Sequence, residues 1–519
     1  MRMVLTNIVT GVDLKIEYIS HACLLIDTGD VRIATDPWFD GPAYSQQWYV
    51  FPKPVNAEAV ETADVIAISH GHEDHFHPKT LRTLANKTAR VFYPDSWFGG
   101  AKEFIESLGF ANVTEAINRR KYQLTKTTSL TYVANGNDNI MVIESGGRVL
   151  VDVNDALHSE PDATIDFFVS EIRKRWPRID ALFCGFGGAS YFPNMLHVVG
   201  KDDRAIGKVR EQLFARNFCR VVAALKPVVA VPFAADFALL GTAGRWINDV
   251  RFPRAHMKKY FDRHFAEADH NQRIEPMYPG DALDGVELKA ASPYRARLKD
   301  GELSHLLEEQ YAEEIARKQN PKMLTAEEGE ELAAKLRDHI NMRLRSIEGA
   351  QNATLKFCIE ISDDAERRAF NINIENGEAR LQRAERSDAD CAVVINAPSR
   401  IVRYAMKYEF GGDVIGIGYG AEFQFRDRES AGANLDQICY QLLSLPLPSR
   451  RQSLKKDPGR MLAFLARQPP VQTWKSWKKS AAKLGNVNYD RSIWLLRDAE
   501  ELRRIFDLPE MDESIGRGA

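Results

Sequence analysis

Three histidines and one aspartate crowd into segment 69–75, which has the sequence Ser-His-Gly-His-Glu-Asp-His. Imidazole nitrogens and carboxylate oxygens are ligands that zinc, iron and manganese take in proteins. The apolar residues just before this segment predict a buried strand that delivers it as a short loop, so that its side chains can converge on one point. The spacing predicts one or two divalent ions, His70 and His72 holding the first and Asp74 and His75 the second.

The elements around this loop resemble a known family. The H-x-H-x-D-H spacing, after a strand and before a helix that begins near Pro78, resembles the signature of the metallo-β-lactamase fold superfamily. Residues 20–25 and 34–38 are similar to the opening strands of the branch that contains L-ascorbate-6-phosphate lactonase and N-acylphosphatidylethanolamine phospholipase D. The chain further resembles the catalytic domain of the CMP-N-acetylneuraminate hydroxylases over residues 12–290, through fragments 36–48, 186–190 and 231–234.

The resemblance implies an α/β fold, a metallo-β-lactamase αββα sandwich over residues 1–290 followed by a smaller α/β domain. It implies that five residues hold metal: His70, His72, Asp74, His75 and Asp155. Asp155 supplies the bridging carboxylate after a predicted strand, and Asp152 is its alternative. In this interpretation Asp74 also orients the attacking hydroxide, while His21 and Asp36 fix the orientation of the imidazoles.

Two further histidines that superfamily members usually carry have no evident counterpart. Residues 135–138, Asn-Gly-Asn-Asp, and residues 233–236, Phe-Ala-Ala-Asp, stand in their places. Replacing imidazole by carboxylate or amide makes a site richer in oxygen, which shifts its preference from zinc towards iron, manganese or magnesium. The predicted cofactor is one or two divalent ions, either zinc, iron or manganese.

Three functions follow from such a site. Hydrolysis is favoured, because a divalent ion activates water and polarises the carbonyl or phosphoryl group of a phosphorylated, nucleotide-linked or lipid-like substrate. The alternative implied by the resemblance is an iron-dependent hydroxylase with a separate ferredoxin-type electron donor, since the sequence lacks the Cys-x-His and Cys-x-x-His pair of a Rieske module. A non-catalytic ligand-binding relative is the third hypothesis.

The amino-acid composition restricts the kinds of partner and the cellular compartment that the sequence predicts. A formal net charge of −3 at pH 7 argues against bulk attraction to nucleic acid, and the basic, aromatic segment 251–270 predicts a cationic rim for a small anionic substrate. The six cysteines are scattered without Cys-x-x-Cys spacing, which predicts no disulfide framework and a reducing compartment. With neither a secretory signal nor a membrane-spanning apolar run, the chain is predicted to be cytoplasmic.

The length of 519 residues predicts two or three domains. A helical linker region with a capping box is predicted over residues 291–345. Residues 346–450 predict a small α/β domain with a hairpin turn at Asn376-Gly377. This domain resembles sterol carrier protein type two, which implies an apolar ligand. A basic helical tail with aromatic residues is predicted over residues 451–519.

Overall fold

Two β-sheets stack face to face in the first part of the protein. The computed structural model describes residues 14–96, 99–188, 192–267, 271–299, 303–346, 354–408, 411–445, 450–468 and 491–510. The first sheet contains, in spatial order, strands Glu287–Lys289, Ala282–Asp284, Lys15–Ser20, Cys23–Asp27, Arg32–Thr35, Val65–Ala67, Arg90–Pro94 and Val113–Ala116. The second contains strands Val229–Phe233, Ala181–Gly185, Arg148–Asn154, Asp138–Ser145, Thr128–Asn135 and Lys121–Gln123. Both sheets mix parallel and antiparallel pairs.

A buried apolar cluster lies between the two sheets. Ile16 and Leu24 from the first sheet and Met141 and Phe183 from the second are members of this cluster, and all four are fully buried. Helices cover both outer faces: Pro78–Thr83 and Ala101–Ser107 on the first sheet, and Asp162–Arg175, Asp203–Leu225 and Met257–His264 on the second. Strands covered on both faces need nearly continuous apolar runs, as in strand Arg148–Asn154. The predicted αββα sandwich is confirmed.

A third sheet lies in the carboxy-terminal part and takes one strand from the first part. Its strands, in order, are Leu196–Val198, Glu422–Phe425, Val393–Ala397, Leu355–Ile361, Ala369–Glu375 and Glu378–Ala384. Strand Leu196–Val198 pairs in parallel with strand Glu422–Phe425, although it belongs to the range predicted as the catalytic domain. Asn376 and Gly377, with φ angles of 53° and 75°, close the predicted hairpin. A small two-stranded sheet pairs Trp48–Val50 with Phe237–Leu239.

The other helices lie in the second half of the described chain. They span Arg295–Lys299, Leu303–Gln319, Ala326–Ser346, Ser399–Lys407, Asp413–Gly416, Arg428–Gly432, Leu435–Leu443, Arg450–Lys456, Pro458–Arg467, Arg491–Leu496 and Ala499–Ile505. Short 3-10 helices span Ala57–Thr62, Arg245–Val250 and Arg254–His256. The predicted capping box is present, because Thr325 N–H donates to Glu328 Oε2 at 2.8 Å and Glu328 N–H donates to Thr325 Oγ1 at 3.2 Å. Among the described residues, no helix combines the length and apolarity that a membrane crossing requires.

One apolar cluster joins the first part of the chain to the third sheet. Trp38 and Trp48 from the first part and Phe357 and Phe423 from the third sheet are fully buried members of it. The ranges predicted as separate domains therefore share a core as well as a sheet. The tryptophans at positions 474 and 477 of the predicted tail lie outside the described residues.

Cys358 and Cys391 form a disulfide, which the prediction of no disulfide framework did not foresee. Cys358 lies in strand Leu355–Ile361, and Cys391 lies two residues before the parallel neighbour strand Val393–Ala397. Their Cα atoms are 6.2 Å apart, within the usual disulfide range, although 33 residues separate them along the chain. Spacing along the sequence could not show this pairing, and the cysteine pattern no longer supports a reducing compartment.

His197 connects the first part of the chain to the third sheet through charge. Its Nδ1 lies 2.6 Å from Asp203 Oδ2, and its Nε2 lies 3.6 Å from Glu422 Oε1. Burial disfavours the charged imidazole, but hydrogen bonds and charge from Asp203 and Glu422 raise the pKa of His197 to about 9. Because the folded-state pKa exceeds the unfolded value of about 6.5, this contribution to stability is complete below pH 6.5 and is lost as the pH rises through 9.

We expect the His197→Gln variant to lose that contribution. The difference in unfolding free energy between wild type and variant should be largest near pH 6 and should shrink steadily towards pH 9. Urea unfolding at a series of pH values measures this difference. A difference that stays constant across the series would contradict the assignment of charge to His197.

Candidate metal centre

The loop after strand Val65–Ala67 carries most of the candidate ligands. The strand is buried between two parallel neighbours of the first sheet. The loop ends at helix Pro78–Thr83, where the backbone N–H of Thr80 donates to His77 Nδ1 at 3.2 Å. Proline at the start of the helix costs no hydrogen bond, because its position has no intrahelical acceptor to lose. A firmly anchored strand and a capped helix therefore hold the two ends of the loop.

His21, Asp74 and His75 form the first group of candidate ligands. Asp74 Oδ2 lies 3.0 Å from His21 Nε2 and 3.2 Å from His75 Nε2. All three side chains are almost completely buried. His21 occupies a left-handed position, with φ of 41°, in the tight turn between the strands Lys15–Ser20 and Cys23–Asp27. The residue predicted to orient an imidazole thus lies among the donor atoms themselves.

His70, His72 and Asp138 form the second group. His70 Nε2 lies 2.8 Å from His72 Nδ1 and 3.8 Å from Asp138 Oδ1. Asp155 lies between the two groups, because its Oδ2 is 3.9 Å from His70 Nε2 and 3.5 Å from His75 Nε2. The arrangement can hold two ions, one in each group, with Asp155 shared between them.

Asp36 holds His75 from the side opposite to Asp74. Its Oδ2 lies 3.0 Å from His75 Nδ1 and accepts hydrogen bonds from Ser69 Oγ and Asn154 Nδ2, both at 2.6 Å. A carboxylate on the far nitrogen of a ligating histidine fixes the ring and raises its basicity. This geometry leaves His75 Nε2 facing the candidate ligands, which fits the orienting role predicted for Asp36.

The histidines and carboxylates of the site shift one another's pKa values. Burial disfavours the charged form of His75, but the carboxylates of Asp74 and Asp155 raise its pKa well above the ordinary value. Burial, assisted by His75, lowers the pKa of His70 well below its ordinary value. Burial opposes ionisation of Asp74 and Asp155, yet His75 holds the pKa of both carboxyls low. Neutral His70 and the ionised carboxylates are ready to ligate a cation, whereas His75 must first release a proton.

The donor set fits a divalent metal. His75 Nε2 is buried and makes no hydrogen bond, although carboxylate oxygens of Asp74 and Asp155 lie 3.2 and 3.5 Å away. A buried polar atom without a hydrogen bond is costly, and a cation between these three donors would remove that cost. The imidazoles and carboxylates of both groups supply enough nitrogen and oxygen donors for two ions with positions left open for other ligands.

The structure brings together all the residues that the sequence predicts for the site: His21, Asp36, His70, His72, Asp74, His75 and Asp155. Asp155, and not the alternative Asp152, faces the histidines. Asp152 is fully buried within its strand, where burial raises the pKa of its carboxyl well above the ordinary value.

The two segments without the expected histidines behave differently. Segment 135–138 supplies Asp138, which joins His70 and His72 but was not predicted as a ligand by itself. In segment 233–236, Asp236 instead forms a buried ion pair with Arg254 at 2.7 Å and belongs to no ligand group among the described residues. At one of the two positions where a histidine was expected, a carboxylate oxygen is therefore the candidate ligand instead of an imidazole nitrogen.

Tyr44 contacts the site and was missed by the sequence analysis. Its hydroxyl donates to Asp74 Oδ1 at 2.5 Å, and its N–H donates to Glu73 Oε2 at 2.8 Å. Asp74 thus has one oxygen fixed by Tyr44 while the other faces His21 and His75. Tyr44 lies inside fragment 36–48, but no spacing rule relates it to a loop thirty residues away.

The carboxy-terminal part of the chain holds Tyr44 in place. Tyr44, Ser45 and Gln46 all have positive φ angles, of 51°, 52° and 64°, and consecutive left-handed non-glycine residues persist only where their surroundings impose them. Arg400 donates to the Ser45 carbonyl and Lys318 to the Gln46 carbonyl. These contacts link the candidate metal centre to helices that lie outside the αββα sandwich.

We expect Gly185→Val to reduce metal binding. A Cβ atom on Gly185 would lie 2.8 Å from the Asn154 carbonyl oxygen and 3.5 Å from Asp155 Oδ1. The strand must therefore shift, and Asp155 with it, which should lower metal affinity by about tenfold. Metal titration of the dialysed protein measures this, and Gly241→Ala is the control because a Cβ there meets no atom within 4 Å. Equal affinity in both variants would contradict a bridging role for Asp155.

Comparisons with known proteins identify the first part of the chain. Residues 15–166 match the family described as "Beta-lactamase superfamily domain". This match and the αββα sandwich show that this part of the chain is a beta-lactamase superfamily domain with the metallo-β-lactamase fold.

The chain is also similar in sequence to two named proteins. The chain is 26% identical to the cytidine monophosphate-N-acetylneuraminic acid hydroxylase of Danio rerio over 256 residues, which cover 46% of this chain and 41% of that protein. It is 26% identical over 248 residues to a Mycobacterium tuberculosis protein named "Putative Rieske 2Fe-2S iron-sulfur protein", covering 46% of each chain. The match spans less than half the length of these relatives. The predicted resemblance to the hydroxylases is confirmed.

One solved structure to which the chain is similar is CmlA, a diiron β-hydroxylase from Streptomyces venezuelae. Its TM-score to this protein is 0.36 at 18% sequence identity, and the match covers 52% of this chain and 54% of that one.

Proposed function

We propose that the protein is a non-heme iron enzyme that uses molecular oxygen to hydroxylate a small molecule. The observation that carries the proposal is the composition of the ligand groups. Both ligand groups, His21 with Asp74 and His75, and His70 with His72 and Asp138, combine two histidines with one aspartate, and Asp155 lies between them. Two histidines and one carboxylate with open positions are the ligand set of non-heme Fe(II) oxygenases.

The residues of the chain then have distinct tasks. Bound iron would supply the activation of oxygen. Asp36 holds the His75 ring by its Nδ1, and Tyr44 holds Asp74 by Oδ1, so that the remaining donor atoms of both residues face inward. His21, His70 and His75 are at most 2% exposed, which keeps bulk water away from that end of the site.

Such a reaction needs an external source of electrons. Hydroxylation places one oxygen atom of O₂ in the substrate and releases the other as water, which consumes two electrons and two protons. None of the six cysteines belongs to the Cys-x-His or Cys-x-x-His motifs of a Rieske cluster. We therefore propose a separate ferredoxin-type protein as the electron donor, which agrees with the Rieske name of one relative.

Hydrolysis, which the sequence analysis favours, is the second candidate. Asp138 is 30% exposed and His72 is only partly buried, so that water can reach this end of the donor set. A metal-activated water would then attack the substrate. Oxygenation is the better candidate because a carboxylate, Asp138, takes the place where a histidine was expected.

Metal analysis and oxygen uptake separate the two candidates. We expect the protein purified without added ions to contain about two irons per chain. We expect the reduced iron form to consume oxygen and the zinc form to be inert towards it. Zinc in the purified protein, together with no oxygen uptake by iron-loaded protein, would contradict the proposal and favour hydrolysis.

A further inference from the structure

A pocket lies beside the metal centre, behind the ring of Phe237. The edge of this ring faces His21, with ring centroids 6.3 Å apart, and the ring also lines the pocket. The cavity has a volume of about 110 Å³ and is partly open to solvent. An enclosed apolar cavity of roughly 150 Å³ holds benzene, so a partly open pocket of this size suits a small molecule of one ring or a short chain.

Arg251 is the charged group in this pocket with unused hydrogen-bonding capacity. Its guanidinium lies 3.8 Å above the centre of the Phe237 ring, and its Nη1 donates to the carbonyls of Ala235 and Phe237. Its Nη2 is buried and has no hydrogen-bond partner among the described residues. A buried guanidinium donor without an acceptor is costly, and a ligand oxygen would remove that cost.

The neighbouring carboxyls of Glu211 and Asp236 act on Arg251 through their charge, but neither forms a salt bridge with it. Asp236 is engaged by Arg254 at 2.7 Å, and Arg254 also donates to the Met277 carbonyl at 2.5 Å. Glu211 accepts a hydrogen bond from Gly188 N–H at 3.2 Å, and burial raises the pKa of its carboxyl although the charge of Arg251 opposes this rise. Among the described residues, no carboxylate lies within 4 Å of the Arg251 guanidinium, so Arg251 forms no salt bridge with its neighbours.

Glu211, Asp236, Asn248 and Arg254 also line the pocket, but most of its other walls are apolar. The apolar walls include Phe51, Phe186, Phe252, Tyr278, Leu298 and Leu307. A cationic fork at one end of an aromatic and aliphatic recess is complementary to an anion carried on an apolar body. Because Nη1 is already bonded to backbone carbonyls, Nη2 is the nitrogen of Arg251 that can donate to a carboxylate oxygen of a ligand.

We propose that this pocket binds a carboxylate on a small apolar body, with Arg251 as its anchor. If the proposed function holds, the occupant is the substrate or the end of the substrate that is held next to the metals. Binding by itself does not depend on the metals, because none of the residues that make the pocket belongs to the ligand groups.

Three probes of one shape and different charge test the proposal on the full chain. Calorimetric titration should show benzoate binding at least tenfold more tightly than benzamide, and benzylamine should not bind. Arg251→Met should reduce benzoate affinity at least tenfold, while Arg204→Met, which alters an exposed arginine, should leave it unchanged. Equal binding of benzoate and benzamide by the wild type, or full benzoate affinity in Arg251→Met, would overturn the proposal.

One further variant and one further titration complete the test. Arg251→Lys keeps the charge but loses the planar fork, so an intermediate benzoate affinity is expected even if the methionine variant fails to fold. Titration of chelator-treated protein separates this proposal from the proposed function. If the protein binds benzoate but never takes up iron, the proposed carboxylate pocket is supported and the proposed iron-dependent function is contradicted. If the protein takes up iron but does not bind benzoate, the proposed function stands and the proposed pocket is contradicted.

Discussion

Replacing Asp74 by asparagine is expected to reduce the metal content of the dialysed protein to less than about a tenth of the wild-type value. Asp74 Oδ2 lies within 3.2 Å of both His21 Nε2 and His75 Nε2, so one carboxylate oxygen serves the whole first group. Asparagine keeps the shape of the side chain but removes its charge, and an amide is a much weaker ligand for a divalent cation. Elemental analysis of the purified variant measures the outcome.

Asp40→Asn is the matched control for this variant. Asp40 lies outside the ligand groups and pairs with Lys79 at 2.9 Å on the surface. Its replacement should leave the metal content unchanged. Circular dichroism of both variants should match the wild type, because the loop is anchored by a strand and a capped helix. Wild-type metal content in Asp74→Asn would remove Asp74 from the ligand set.

Replacing Trp48 by alanine is expected to lower the free energy of unfolding by about 3–5 kcal/mol. Trp48 is fully buried, stacks on Phe237 with ring centroids 3.5 Å apart, and lies in the apolar cluster that joins both parts of the chain. Its ring also lies near Tyr44 and Tyr419, which come from the two sides of that junction. The lost side chain therefore leaves a cavity at the centre of the shared core.

Urea unfolding followed by circular dichroism and by fluorescence measures this loss. Because the two parts share a core, both signals should follow one transition in the wild type and in the variant. Trp246→Ala, at a partly buried position beside the same cluster, should cost less. Two separate wild-type transitions, or a loss below about 1 kcal/mol for Trp48→Ala, would contradict a shared core.

Local signals in the sequence account for much of the structure. Asn376 and Gly377 predict their hairpin because few other residues adopt two successive left-handed conformations. Thr325 and Glu328 predict their helix start because their reciprocal hydrogen bonds involve only neighbours along the chain. The metal loop is equally local, since four candidate ligands fall within residues 70–75.

Contacts between distant segments could not be predicted from such signals. Tyr44 reaches Asp74 only because the carboxy-terminal part imposes three left-handed residues on its turn. Asp138 becomes a candidate ligand because its hairpin in the second sheet faces the loop of the first. Strand Leu196–Val198 joins the third sheet through a partner more than two hundred residues away. The resemblance of residues 346–450 to sterol carrier protein type two stays a prediction.

Anomalous diffraction from crystals of the protein, measured on both sides of the iron absorption edge, tests the central claim most directly. The account predicts two iron peaks, one bounded by His21, Asp74 and His75 and the other by His70, His72 and Asp138, with Asp155 between them. Crystals from iron-loaded protein that show these side chains hydrogen-bonded to one another and no anomalous peak between them would contradict it.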